Sequence, residues 1–239
     1  MYKETSTRSI VKALSWRGLG TIATSVIVWI FTRRLDVAVA VGGLEGLFKI
    51  CMFYLHERLW DRVRIGRHQI EPVVVWLTGL SGSGKSTLAQ SVSAALAQRG
   101  LRVETLDGDK IRTIFPNTGF TRQDRDAHIK RVGFLASRLE QHGVFVVCSL
   151  VSPYHESRDF VRKLCKNFVE VHVATPIEEC ERRDTKGLYA RARRGEIKNF
   201  TGIDDPYEAP IRPEVVIDTR EVGVEQATGR VLEHLKRYI

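Results

Sequence analysis

Residues 79–86 read Gly-Leu-Ser-Gly-Ser-Gly-Lys-Ser and satisfy the spacing G-x-x-x-x-G-K-[ST] at all four fixed positions, Gly79, Gly84, Lys85 and Ser86. Residues of these types at this spacing bind nucleotide phosphates. Glycines at 79, 82 and 84 let the backbone N–H groups of Leu80, Ser81, Ser83 and their neighbours close around an anion. A helix starting at the loop's end adds unpaired N–H groups and a positive partial charge. Lys85 suits the β- and γ-phosphates of ATP, the Ser86 hydroxyl suits Mg²⁺, and Thr87 completes the loop. An incidental Gly/Ser turn would lack the context seen here, an apolar run before the loop (residues 73–78) and an Ala/Leu/Gln-rich stretch after it.

Three further clusters have the right types for chemistry. In Leu106-Asp-Gly-Asp-Lys-Ile-Arg112, two carboxylates flank a glycine. One of Asp107 and Asp109 can hold Mg²⁺ through water, and the other can take a proton from an attacking hydroxyl. Arg112 suits a second anionic substrate. The bland alternative is a solvated Asp-Gly turn. In Ser149-Leu-Val-Ser-Pro-Tyr154, Ser152 sits before a strand-ending proline and reads first as a turn residue. The run 182–194 carries Arg182, Arg183, Lys186, Arg191, Arg193 and Arg194. That is a solvated face or, beside a phosphate loop, a mobile lid.

The elements that must position these groups alternate. Short apolar runs at 73–78, 102–106, 144–150, 169–173 and 215–217 read as buried strands. Amphipathic stretches at 85–99, 123–142, 157–165, 176–183 and 224–238 read as helices. This alternation predicts an α/β fold, a parallel sheet with helices on both faces. Ligands in such sheets bind beyond the carboxyl ends of the strands, where the clusters above fall.

The 239-residue chain has a formal charge of +9. Residues 1–70 hold eleven Lys/Arg and five Asp/Glu, a net of +6, leaving +3 for the other 169. The excess thus lies beside apolar segments, favouring a membrane surface over nucleic acid as partner. There is no zinc-finger spacing and no basic run interleaved with aromatics. Cys51, Cys148, Cys165 and Cys180 form no C-x-x-C pair and read as reduced thiols.

Residues 19–32 are uncharged, Arg33-Arg34-Leu-Asp36 interrupts, and residues 37–55 carry only Glu45 and Lys49, four apart and able to pair on one helix face. The leading reading of residues 1–68 is a two-helix membrane hairpin. An amphipathic pair on the membrane surface and a cleaved signal peptide ending at Ala38-Val-Ala40 are the alternatives. Lys3, Arg8, Lys12 and Arg17 before the segment, and Arg58, Arg62, Arg64 and Arg67 after it, favour both ends on the cytoplasmic face of the cell membrane. The stretches Arg8-Ser-Ile-Val-Lys-Ala-Leu-Ser-Trp-Arg17 and Tyr54-Leu-His-Glu-Arg-Leu-Trp60 resemble a bacterial family of predicted membrane hairpins without assigned function, over residues 8–64.

Residues 72–238, within a domain expected over 72–239, resemble the adenylylsulfate (APS) kinases, a family of P-loop NTPase fold with a lid. The resemblance rests on Trp76 to Ala89, Leu106-Asp-Gly-Asp109, Gly119-Phe120, Asp124-Arg125 and Ser152-Pro-Tyr154. It continues through Arg183-Asp184, Lys186-Gly-Leu-Tyr189, Gly195-Glu-Ile-Lys198, Phe200-Thr-Gly-Ile203 and Tyr207-Glu208. It implies transfer of the ATP γ-phosphoryl to the ribose 3′-hydroxyl of adenylyl sulfate, with Mg²⁺, and a homodimer in solution. Lys85, Asp107, Asp109 and Ser152 become the catalytic candidates, with Ser86 and Asp107 on the metal and residues 79–87 on ATP. Asp109 would orient or deprotonate the 3′-hydroxyl; Arg112 and Arg125 would hold the phosphosulfate. Phe120 and Phe200 would stack on the substrate adenine. Lys110, Ile111, His128, Val151, Ser152, Lys186, Leu188 and Asn199 would complete the acceptor site. Ser152 corresponds to a serine given a phosphoenzyme role in some members; a plain substrate contact is the expectation here, since no general base adjoins it. The chain departs from the family at Lys110 and His128, where asparagines are usual, and in a shorter segment containing Phe115-Pro116. His128 would bring pH dependence near its titration range. A kinase of another nucleotide or small alcohol and a non-catalytic nucleotide-binding membrane module remain the alternatives.

Overall fold

The computed structural model describes residues 2–4, 6–31, 38–63, 67–115 and 119–239. Expectations at Arg33, Arg34, Asp36, Arg64 and Pro116, and for the side chain of Glu45, lie outside what is described. Two compact units divide the chain, Met1–Ile70 and Glu71–Ile239.

In the first unit, strand β1 (Tyr2–Glu4) pairs antiparallel with β2 (Arg67–Gln69), Lys3 opposite His68. Between them lie two long helices, α1 (Ser6–Phe31) and α2 (Ala38–Arg62). Their cross-contacts run in opposite sequence order, so they pack antiparallel. Lys12 pairs with Glu57 at 3.0 Å, Ser15 Oγ meets His56 Nε2 at 2.8 Å, and Trp16 sets its ring edge-on to Phe53 at 5.0 Å. Trp60 Nε1 donates to His56 Nε2 at 3.0 Å. Neither helix gathers its apolar residues into one stripe, which disfavours the amphipathic surface pair. Among the described residues, no helix is long and apolar enough to cross a membrane. What the structure shows of the expected hairpin is an antiparallel helix pair.

The second unit is the expected α/β architecture. In chain order it runs β3 (Val74–Thr78), α3 (Lys85–Gln98), β4 (Val103–Asp107), α4 (Gly108–Ile114), α5 (Arg122–Gln141) and β5 (Phe145–Ser149). It continues with α6 (His155–Leu164), β6 (Phe168–Val173), α7 (Ile177–Arg183), α8 (Leu188–Arg193), β7 (Val215–Ile217) and α9 (Val224–Leu235). The strands form one parallel sheet in the order β4-β5-β3-β6-β7. Central β3 is wholly buried, as a strand covered on both faces must be. Its side chains alternate: Val74 and Trp76 join Val146 and Cys148 under Ile129, Val132 and Ala136 of α5 and Val161 of α6. The other face lies under α3 and α9, where Leu88, Val92, Leu96, Val231 and Leu235 are buried and Thr228 Oγ1 donates to Ser91 Oγ at 2.8 Å.

Helix α5 shows how local sequence builds this frame. Thr121 and Asp124 form a reciprocal capping box at its start. Its buried positions, from Arg125, His128 and Ile129 to Ser137 and Glu140, recur every three to four residues. Gly133 lets α6 come close: a Cβ there would stand 2.3 Å from Val161 Cγ2.

Candidate active site

The phosphate loop joins β3 to α3 at the carboxyl end of the sheet. Gly79 admits no side chain, since a Cβ would lie 2.5 Å from the Val173 carbonyl oxygen of β6. Gly84, at φ 95°, turns the chain into α3. The Ser83 carbonyl accepts from the hydroxyls of Thr175 and Thr219, each at 3.2 Å, fixing the loop from beneath. Lys85 is buried and folds over the loop, its Nζ donating to the Leu80 carbonyl at 2.6 Å and reaching Ser83 Oγ at 3.4 Å. Burial lowers its pKa to about 8. A poorly solvated ammonium on a ring of N–H donors is primed for an anion.

Beyond β4, Asp107 does two things at once. One carboxylate oxygen caps α4, accepting from the N–H groups of Asp109 at 3.0 Å and Lys110 at 3.3 Å. The other accepts from Ser86 Oγ at 3.1 Å, and Ser86 also meets Ser149 Oγ at 3.2 Å. Ser86 and Asp107 are therefore adjacent hard oxygen donors, as Mg²⁺ with nucleotide phosphates requires. Among the described residues, no group of three or more His, Cys, Asp or Glu side chains forms a metal cage. Asp109, on the first turn of α4, is exposed and ion-paired with Lys186 from the segment before α8.

A cleft of about 660 Å³ runs from the phosphate loop past Asp109 to Phe120 and Phe200. Arg112 lies 4.5 Å over the Phe120 ring and donates to the Gly119 carbonyl at 2.6 Å. Arg125 is buried and serves several loops. Its Nε donates to the Phe120 carbonyl at 2.9 Å, Nη1 to Thr201 Oγ1 at 2.7 Å, and Nη2 to the Asn199 carbonyl. The two phenylalanine loops are thus pinned to one guanidinium. His128 is buried, with Nε2 at 3.2 Å from the Gly108 carbonyl. Burial, then the charge of Arg112, lowers its pKa to about 4, so the ring is neutral and Nε2 donates. The expected titration near neutrality is corrected accordingly.

The structure brings together around this cleft Ser81, Gly82, Gly84, Lys85, Ser86, Thr87, Asp107, Asp109, Arg112, Phe120, Arg125, His128, Val151, Ser152, Lys186, Leu188, Asn199 and Phe200. Gly79, Leu80 and Ser83 shape the loop without lining the cleft. Two expectations are corrected. Ile111 belongs to the hydrophobic core, on the buried face of α4, and Lys110 is exposed on α4 outside the cleft. Ser152, expected above as a substrate contact, lines the cleft with its hydroxyl already engaged. It is buried at φ 38°, its hydroxyl accepts from Trp76 Nε1 at 3.1 Å and meets Thr78 Oγ1 at 2.9 Å. Arg158 holds its carbonyl at 2.6 Å. Ser149, Arg183, Thr185, Arg191 and Thr201 also line the cleft, and sequence reasoning assigned none of them a substrate contact. Arg183 and Arg191 lay within the basic run read as a lid, Thr201 within the Phe200 to Ile203 motif, and Ser149 at the start of the Ser152 cluster.

Comparison with known proteins agrees with this geometry. Residues 71–218 match the family model described as adenylylsulphate kinase, and residues 10–61 one described as predicted membrane protein. The adenylyl-sulfate kinase of Microcystis aeruginosa (strain NIES-843 / IAM M-2473) is 51% identical over 164 residues, 68% of this chain and 91% of that protein. That of Picosynechococcus sp. (strain ATCC 27264 / PCC 7002 / PR-6) is 50% identical, covering 68% and 93%. The structure of the Mycobacterium tuberculosis APS kinase CysC in complex with AMPPNP and APS superposes with a TM-score of 0.67 at 38% identity, covering 70% of this chain and 98% of that one. On this evidence the chain belongs to the adenylylsulphate kinase family.

Proposed function

We propose that this protein transfers the γ-phosphoryl group of ATP to the ribose 3′-hydroxyl of adenylyl sulfate, releasing ADP and 3′-phosphoadenylyl sulfate. The observation that carries the reading is one cleft with a phosphate loop at one end, a phenylalanine pair at the other, and Asp109 between. Lys85 and the loop N–H groups hold the β- and γ-phosphates in line with the acceptor. Ser86 and Asp107 would hold Mg²⁺, which would neutralise charge on the phosphate oxygens. Phe120 and Phe200 stack on the acceptor adenine, and Arg112 faces its phosphosulfate. Arg125 contributes by fixing both phenylalanine loops.

The Asp109 carboxylate takes the 3′-hydroxyl proton as that oxygen bonds to phosphorus and the bond to the ADP oxygen breaks. Lys186 pairs with its Oδ2, which leaves Oδ1 to accept from the hydroxyl. Lys110 is exposed on α4 and does not line the cleft. Incubating the full chain with ATP, Mg²⁺ and adenylyl sulfate should give ADP and 3′-phosphoadenylyl sulfate in equal amounts. Asp109→Asn should lower kcat by about 10²–10⁴ with ATP affinity kept. ADP formation independent of adenylyl sulfate would sink the assignment.

The first unit tethers the kinase to the cytoplasmic face of a membrane. Exposed Ile10, Val11, Leu14, Phe53, Tyr54, Leu55 and Leu59 and the local charge excess support this. Alkaline carbonate washing separates the modes: release marks a surface-bound pair, retention an integral one, and a chain free of membranes before washing would refute tethering.

A further inference from the structure

Tyr189 lies outside the cleft yet touches both ends of it. It is 1% exposed and is absent from the cleft wall, so it meets neither substrate. Its hydroxyl donates to the Ser81 carbonyl of the phosphate loop at 2.9 Å. Its ring meets that of Phe200 edge-on, 4.9 Å between centroids at 78°. Its own backbone is fixed, because Asp184 accepts from the N–H groups of Tyr189 at 3.1 Å and Ala190 at 3.0 Å.

Each contact has a consequence for binding. In a trans peptide the C=O and the following N–H point in opposite directions. Anchoring the Ser81 oxygen on Tyr189 therefore aims the Gly82 N–H away from Tyr189, on a residue that lines the cleft. An edge-on aromatic contact holds the facing ring in place. The Phe200 ring is set from behind by Tyr189, and its loop is set by Arg125 and by Asp204, which accepts from the Phe200 N–H.

We propose that Tyr189 is a positioning residue that couples the two substrate sites. ATP on the loop fixes the Ser81–Gly82 peptide, the peptide holds the tyrosine, and the tyrosine holds Phe200 in the orientation that stacks on the acceptor base. Ordering Phe200 in advance lowers the entropic cost of acceptor binding. The coupling is reciprocal, so the acceptor tightens ATP by the same factor. This rests on the two-substrate reading above.

The test is calorimetry on the full chain with a β,γ-imido ATP analogue and adenylyl sulfate, each titrated alone and in the presence of the other. In the wild type each ligand should tighten the other by at least about fivefold. Tyr189→Phe keeps the ring and loses the hydroxyl. It should weaken the ATP analogue about 2–10-fold, leave adenylyl sulfate alone unchanged, and bring the coupling factor close to one. Phe200→Leu keeps the hydroxyl bond and breaks the ring contact. It should leave ATP-analogue affinity unchanged and also lose the coupling. A merely structural role predicts instead a lowered melting temperature with both affinities falling together. That result, unchanged coupling in Tyr189→Phe, or no coupling in the wild type overturns the proposal. If adenylyl sulfate fails to bind the wild type at all, the acceptor assignment falls, and the effect of Tyr189→Phe on ATP-analogue affinity alone decides the anchor.

Discussion

Lys85 and Ser152 show how burial decides what a side chain can do. The Lys85 ammonium titrates near 8 in the free enzyme because it is poorly solvated. Bound phosphates restore its charge preference and raise that value. The sign follows: below about pH 7 the lysine is charged with or without nucleotide, whereas above 8 binding must take up a proton. Affinity for an ATP analogue should therefore fall by up to tenfold per pH unit between about 8 and 9.5. Calorimetry in buffers of different ionisation enthalpy should show the uptake, and flat affinity over that range would refute the account. Ser152 makes the opposite case, a hydroxyl consumed by Trp76 and Thr78. Ser152→Ala should keep kcat within about threefold while costing about 1–3 kcal/mol of stability, because the buried Trp76 N–H loses its acceptor. A phosphoenzyme route would instead cost kcat several orders of magnitude. The sequence alone identified Ser152 by position, yet its neighbours come from β3, some 75 residues away, and no local pattern reveals that they surround it. Lys85 was legible because its partners lie within one loop, and Asp107 because its capping contacts lie within one strand-to-helix turn, although its bond to Ser86 spans 21 residues.

At the scale of elements, what the sequence disclosed depended on length and burial. The five strands and the helices α3, α5, α6, α7 and α9 fall within two residues of where pattern places them, save the end of α9, which gives way to a 3₁₀ turn. The short helices α4 and α8 were not separately expected, each having two turns or fewer. α4 exists because Asp107 caps it, a signal present in Asp107-Gly-Asp109 and also compatible with a turn. Gly133 gives a direct measure of how tightly α5 seats. In an exposed helix, Gly→Ala stabilises by up to about 1 kcal/mol. Here the new methyl meets the stiff, fully buried Val161. Gly133→Ala should therefore destabilise by about 1–3 kcal/mol, the range for overpacking. Equilibrium urea unfolding of the full chain reads this; a variant as stable as the wild type or more so would mean α6 yields freely. Because His128 and Arg125 lie on the same face of α5, a shifted helix should also weaken the acceptor more than ATP.

At the scale of the molecule, two units of different character share one chain. The second has its own sheet, core and cleft, and relatives such as the Microcystis aeruginosa enzyme consist almost entirely of it, 91% of that protein being aligned. Its substrates are small, and every residue assigned to them lies between Gly79 and Phe200. No residue assigned to the substrates lies in residues 1–70, while those residues hold +6 of the +9 charge and much of the exposed apolar surface among the described residues. Apolar side chains facing water cost the first unit roughly 25 cal/mol per Å² that a lipid environment would recover. Cutting after Ile70 should accordingly leave kcat and both KM values within about twofold in detergent-free buffer, since no bond of the cleft is lost. It should also remove binding to vesicles containing anionic phospholipid, which the full chain should show with a salt-sensitive component from its basic flanks. The pair of measurements separates the roles: a fragment that loses turnover makes the first unit part of the catalytic assembly, and one that still binds vesicles places the membrane contact on the kinase itself.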